Sequence, residues 1–156
     1  MAMDFTKHSE FFDRYAPQFT SVVMPEIDIL QKLCLVQQGS LTIAYAPFDY
    51  VPRHAELVII GITPGRTQAI KAIAASSASL LSGRSDAEAS RLAKLTGSFS
   101  GPMRTNLVSM LDYIGVAWLL GISTSATLFD PACERVHFTS ALRYPVFVQD
   151  QNFLFF

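Results

Sequence analysis

The residues with the clearest chemical potential follow a short apolar run. Leu57-Val58-Ile59-Ile60 leads into Gly61-Ile62-Thr63-Pro64-Gly65, and a helical pattern runs from about Thr67 to Leu81. Gly61 and Gly65 let the backbone turn sharply and approach a ligand with no side chain in the way. The helix behind them offers unpaired N–H groups and the positive end of its dipole, which suits a phosphate or a leaving anion. Arg66, Thr67 and Gln68 fall in its first turn and add donors. The same pattern also suits an ordinary strand-to-helix turn. No Gly-Lys-Ser/Thr follows, so this is not a Walker loop, and the Gly-x-Gly-x-x-Gly spacing of a dinucleotide fold is absent.

The elements that must hold this turn can be read from periodicity. Phe11, Phe12 and Tyr15 are at helical spacing within Lys7–Ala16, with Pro17 ending or kinking that helix. A second helix is expected from Pro25, with Ile27, Leu30, Leu33 and Cys34 on one face and Gly39 beyond its end. Leu41–Tyr45 alternates as a half-buried strand expected at a sheet edge, while Leu57–Ile60 has the texture of a central strand buried on both faces. Ser85-x-x-Glu88 predicts a capping box opening a helix through Leu95. Thr96–Gly101 reads as a small-residue loop carrying one aromatic, Phe99. Pro102 then starts a helix with Met103, Leu107, Met110, Leu111 and Ile114 as its apolar stripe, closed by Gly115. Val136–Leu142 is a second buried-type strand, broken by Pro145. Strand, helices and strand predict one α/β domain over residues 1–156, a three-layer α/β/α sandwich with a mainly parallel central sheet. The apolar Phe153-Leu154-Phe155-Phe156 end suggests either an N-terminal piece of a longer chain, itself missing further C-terminal strands, or aromatics that fill the place of missing elements.

Three of these segments carry a resemblance. Leu57–Gly65 resembles the first motif of the uracil-DNA glycosylase superfamily, nearest to the Gly-Ile-Asn-Pro-Gly form of its mismatch-specific thymine/uracil branch. Gly97-Ser98-Phe99-Ser100-Gly101 resembles the Pro-Phe-x-Gly segment of other branches, and Phe138–Pro145 resembles their Thr-Asn-x-x-Lys-x-Arg-Pro strand. The three occur in the family's order. The resemblance implies hydrolysis of the N-glycosidic bond of a damaged, deaminated or modified base flipped out of DNA. It assigns Thr63 to the orientation of water. Gly61, Ile62, Pro64, Gly65, Phe99 and Ser140 would surround the base, with the Phe99 ring stacked on it. Arg66, Thr67, Gln68, Gly101 and Arg104 would lie toward the DNA phosphates. Thr63 and Ile62 stand where the family usually carries the water-activating Asp, Asn or Glu, and a hydroxyl is no general base at neutral pH. Ser140 replaces the Asn that reads the base edge, and no His occurs after His137. These departures leave open a catalytically weak or inactive module that binds DNA or a nucleotide. An unrelated phosphate-binding α/β protein is the third reading.

Composition narrows the classes. Half of the 156 residues are hydrophobic and only 16% are charged, enough for a sizeable core and too apolar for a disordered chain. The formal net charge of −1 excludes a generally basic coat. Its distribution is uneven, with seven basic against three acidic residues in 51–110 and acidic excess on both flanks. Cys34 and Cys133 cannot build a disulfide framework or hold an iron–sulfur cluster. His8, His54 and His137 are scattered, so no metal and no cofactor is expected. No apolar run reaches spanning length and no signal-peptide pattern opens the chain, which predicts a cytoplasmic protein with no membrane contact, and the resemblance implies DNA as its partner.

Overall fold

The computed structural model describes residues 10–20, 26–149 and 151–152. In chain order they form α1 (Glu10–Thr20), α2 (Glu26–Lys32), β1 (Cys34–Gln38), β2 (Leu41–Ala44), β3 (Leu57–Gly61), α3 (Arg66–Leu81), α4 (Asp86–Gly97), α5 (Pro102–Tyr113) and α6 (Val116–Leu119). A 3-10 turn (Ser125–Phe129), β4 (Val136–Ser140), β5 (Val146–Val148) and β6 (Gln151–Asn152) complete the chain. His8 and the C-terminal Phe153–Phe156 lie outside the described residues.

The expected three-layer sandwich around a mainly parallel sheet is not what forms. The described strands make two separate sheets. One is four-stranded and antiparallel, in the order β1-β2-β5-β6, and the other is only the parallel pair β3-β4. The main cause is local to residues 33–40. The helix expected through Cys34 stops at Lys32, and Cys34–Gln38 pairs back on Leu41–Ala44. Gly39 is the turn residue of that hairpin, at φ +57°, not a helix stop. After Pro145, Val146–Val148 joins β2 antiparallel, so β2 is interior to its sheet.

The helices α3 and α4 pack closely. A Cβ on Gly97 would come within 2.8 Å of both the Ala72 Cβ and the Gln68 carbonyl, so only glycine lets the helices approach this far. α4 starts as its sequence predicts, with the Ser85 hydroxyl accepting from the Glu88 N–H at 3.3 Å. Phe12, Leu33, Tyr45, Phe147 and the small residues Ala69, Ala72, Ala89 and Ala93 form the larger core. Leu95, Leu128, Val136 and Phe138 form a second core beneath the parallel pair.

Two further expectations fail on burial. β3 is not covered on both sides: Leu57 and Ile59 pack into the second core, whereas Val58 and Ile60 are 53% and 67% exposed. On α5 only Leu111 of the expected stripe is buried, and Met103, Met110 and Ile114 face outward. Both misreadings follow from treating apolarity as burial, and an apolar run alone does not reveal which of its faces is covered.

Candidate functional site

Gly61 and Ser140 are register partners at the C-terminal ends of the two parallel strands. The chains stay tied just beyond them, with the Ala141 N–H donating to the Gly61 carbonyl and the Leu142 N–H to the Ile62 carbonyl, each at 2.9 Å. Thr63 then donates its hydroxyl to the Tyr144 carbonyl at 3.0 Å. Gly65 is the N-cap of α3 and has no side chain with which to cap it.

The opposite wall is the turn between α4 and α5. Phe99 sits there at φ +51°, a left-handed conformation that costs a non-glycine residue about 1 kcal/mol or more. Its ring packs edge-on against Phe138 at 5.8 Å, and Phe138 stacks on Phe129 at 4.6 Å. A Cβ on Gly61 would lie 3.5 Å from the Phe99 ring and 3.4 Å from the Ser140 hydroxyl, so the bare glycine is the floor between these side chains. Arg104 holds the turn. One of its terminal nitrogens donates to the carbonyls of Leu95, Thr96 and Ser98 at 3.0, 3.0 and 2.7 Å, and its guanidinium lies 4.7 Å over Phe129. The cation also closes the negative end of the α4 dipole.

Between these walls is a cleft of about 400 Å³, within the range of small-molecule sites. Gly61, Ile62, Thr63, Pro64, Gly65, Gln68, Phe99 and Ser140 line it, drawn from three segments far apart in the chain. The other candidates stand elsewhere. Arg66 lies 4.7 Å over the Phe147 ring, Thr67 is exposed on α3, and Gly101 is the N-cap of α5 at φ +87°. Arg104 is committed to the α4 carbonyls. Phe48, Met103, Thr139 and Arg143 also line the cleft, though their sequence context did not single them out as site residues. No Asp, Glu or His is among the described residues that line it.

A buried polar network backs the Thr63 wall. Asp49, 6% exposed, accepts hydroxyl hydrogen bonds from Tyr45 at 2.9 Å and Tyr144 at 2.7 Å, with the Arg143 guanidinium 3.8 Å away. By residue type Asp49-Tyr50, just before the β3 segment, suits a turn or the cleft mouth; contacts across the fold put the Asp49 carboxylate in this network. Next to it Lys94, 3% exposed, donates to the Tyr50 carbonyl and stands 3.5 Å from His137 Nδ1. Burial lowers the Lys94 pKa from the ordinary 10.5 to about 7, with the Arg143 charge adding to the shift and Asp49 opposing it. His137 is lowered to about 4 by burial, then by the charges of Lys94 and Arg143.

No protein-family model matches the chain, and no solved structure matches it. The uncharacterized protein YoxB of Bacillus subtilis (strain 168) is 40% identical over 120 residues, which are 76% of this chain and 47% of YoxB. The chain therefore spans about half the length of that curated relative. Among the described residues no helix is long and apolar enough to cross a membrane. No group of three or more His, Cys, Asp or Glu side chains there could hold a metal ion.

Proposed function

We propose that the cleft receives a nucleobase turned out of a DNA strand, and that the protein hydrolyses the N-glycosidic bond of a damaged, deaminated or modified base. One observation carries this reading. Three separate segments, each resembling a glycosylase motif, converge on one slot that has an aromatic wall, a glycine floor and an uncapped helix start. In this reading the Phe99 ring stacks on the base, a contact worth about 1–3 kcal/mol. The bond from C1′ to the base nitrogen breaks with its electron pair going to the base. The α3 amides and the Arg143 guanidinium face the developing anion. Thr63 has its own proton engaged on the Tyr144 carbonyl, so its oxygen accepts a hydrogen bond from a water and turns the water lone pair toward C1′. The attacking water then releases its proton to solvent.

A second reading, binding without chemistry, is favoured by the lack of Asp, Glu or His among the described cleft-lining residues. One experiment separates the two. Duplexes carrying single modified bases are incubated with the protein and treated with alkali to reveal abasic sites. The enzyme reading expects strand breaks at one class of base, slowed at least tenfold by Thr63→Ala with DNA affinity retained. Saturable binding that Phe99→Ala weakens, with no abasic sites on any base, assigns binding alone. Neither cleavage nor salt-dependent binding rejects both.

A further inference from the structure

The three most exposed large apolar side chains among the described residues stand together where α5 passes into α6: Tyr113 at 93%, Trp118 at 86% and Leu119 at 75%. Met110, Tyr113 and Ile114, spaced i, i+3 and i+4, share one side of the end of α5. Gly115, left-handed at φ +86°, turns the chain directly into α6, so Trp118 and Leu119 follow within one helical turn. The stripe starts further back, because Met103, Leu107, Met110 and Ile114 recur at the spacing by which one helix packs along another. The surface is also neutral. Between Pro102 and Phe129 only Arg104 and Asp112 are charged, and both are held by the chain itself. Arg104 bonds the α4 carbonyls, and Asp112 accepts from the Thr124 hydroxyl and the Ser125 N–H, each at 2.6 Å. No Lys or Arg occurs from 105 to 134, so nothing in this stretch draws the face to a phosphate backbone or an anionic bilayer.

We propose that the α5–α6 face seats a second copy of this chain, the two α5 helices meeting across a two-fold axis with Tyr113 and Trp118 as the anchors. Area and charge choose this occupant. Tyr113 and Trp118 present most of the about 150–250 Å² that each aromatic side chain can bury. With Met110, Ile114 and Leu119 the face comes to about the 800 Å² per partner that a stable interface covers. A charged partner would find no counter-charge here, and a helix that lies on lipid carries Lys or Arg along its polar side. A neutral apolar face, by contrast, is complementary to itself, and a two-fold axis brings no like charges together. Tyr, Trp and Met without exposed charge is the composition of an interface core, not of ordinary surface. The proposal stands whether or not the cleft excises a base.

Trp118 is the single tryptophan of the chain, so its fluorescence reports on this face alone. In a dilution series followed in parallel by sedimentation, the indole emission is expected to move to the blue, and acrylamide quenching to fall, as dimer replaces monomer. Ile114→Lys and Leu119→Lys, made separately, should each raise the dimer dissociation constant at least tenfold. Neither should move the thermal midpoint of the diluted monomer, because both side chains are already in water there. Sodium chloride raised from about 0.1 M to about 1 M should leave the dimer intact, as a contact without charge requires. A monomer up to the solubility limit, with its indole in water throughout, overturns the proposal. So does a dimer that both lysine variants leave unchanged, or one that salt dissociates. A blue shift seen only with phosphatidylcholine vesicles, the protein staying monomeric, assigns the face to lipid and overturns it as well.

Discussion

The two walls of the cleft are built on different length scales. The Phe99 wall has its backbone hydrogen-bonded locally, with its ring resting on the second core: Arg104 reaches carbonyls six to nine residues away and pins one turn between two helices. The Thr63 wall is long-range. Thr63 bonds to Tyr144 across 81 residues, and Tyr144 bonds to Asp49 across 95. A local wall can loosen without unfolding the rest, whereas a wall tied through the core loosens only when the core does. Substitutions on the two sides should therefore differ in size and in reach.

The largest effect is expected at Asp49. Asp49→Ala leaves the hydroxyls of Tyr45 and Tyr144 without their shared acceptor, and Tyr45 is fully buried among Phe12, Phe19 and Tyr15. At about 1–3 kcal/mol for the lost acceptor of the buried Tyr45 hydroxyl and less for the part-buried Tyr144, urea unfolding should show a loss of about 3 kcal/mol. The amide of Thr63 should also exchange faster, since its anchor on Tyr144 moves with the network. A loss below 1 kcal/mol would mean that the Thr63 wall does not depend on the core.

Lys94 makes the same wall pH-sensitive. Its folded pKa of about 7 lies below the unfolded 10.5, so the unfolded chain binds the extra proton between those values. Stability from this group is complete above the unfolded value and is lost as pH falls through about 7. Lys94→Met removes the titration. Between pH 7 and pH 9 the wild-type chain should gain about 2–3 kcal/mol relative to Lys94→Met, read from urea midpoints across that range. Parallel curves for the two proteins would place the lysine charge in water, not in the interior.

How legible each wall was in the sequence follows the same division. Pro102 at the start of α5, the Ser85 cap and the Gly61–Gly65 turn are set by neighbours a few residues away, and their residue types state the local geometry, whereas nothing in the type of Phe99 signals its left-handed φ. Asp49 has no such signature. An acid beside a tyrosine after Pro47 and Phe48 looks like any polar turn until Tyr144 arrives from the far end of the chain. The sheet division was equally hidden. Leu30, Leu33 and Cys34 satisfy a helical period, while Cys34–Gln38 is short enough to satisfy a strand, and pairing with β2 and β5 decides between them. Exposure of Val58 and Ile60 was illegible for another reason: an apolar run has the same composition whether one face is covered or two. Arg104 and Arg143 show the limit most plainly. Both are arginines near a loop, and only the fold turns one into a brace for α4 and the other toward the cleft.

The smallest effect belongs to Arg104, and it tests the comparison most sharply. Arg104→Met keeps the aliphatic stem against Phe129 and removes the fork that gathers the Leu95, Thr96 and Ser98 carbonyls. Water can reach the Thr96 bond, which is exposed, so part of the loss is made good and about 1–2 kcal/mol is expected. With Ser98 released, Phe99 has less reason to hold a left-handed φ of +51° and its ring moves off Gly61. Amide exchange should accelerate at Ser98–Gly101 while Thr63 keeps its wild-type rate. If both walls loosen together, the Phe99 turn is itself held through the core, and the cleft opens as one unit, not one wall at a time.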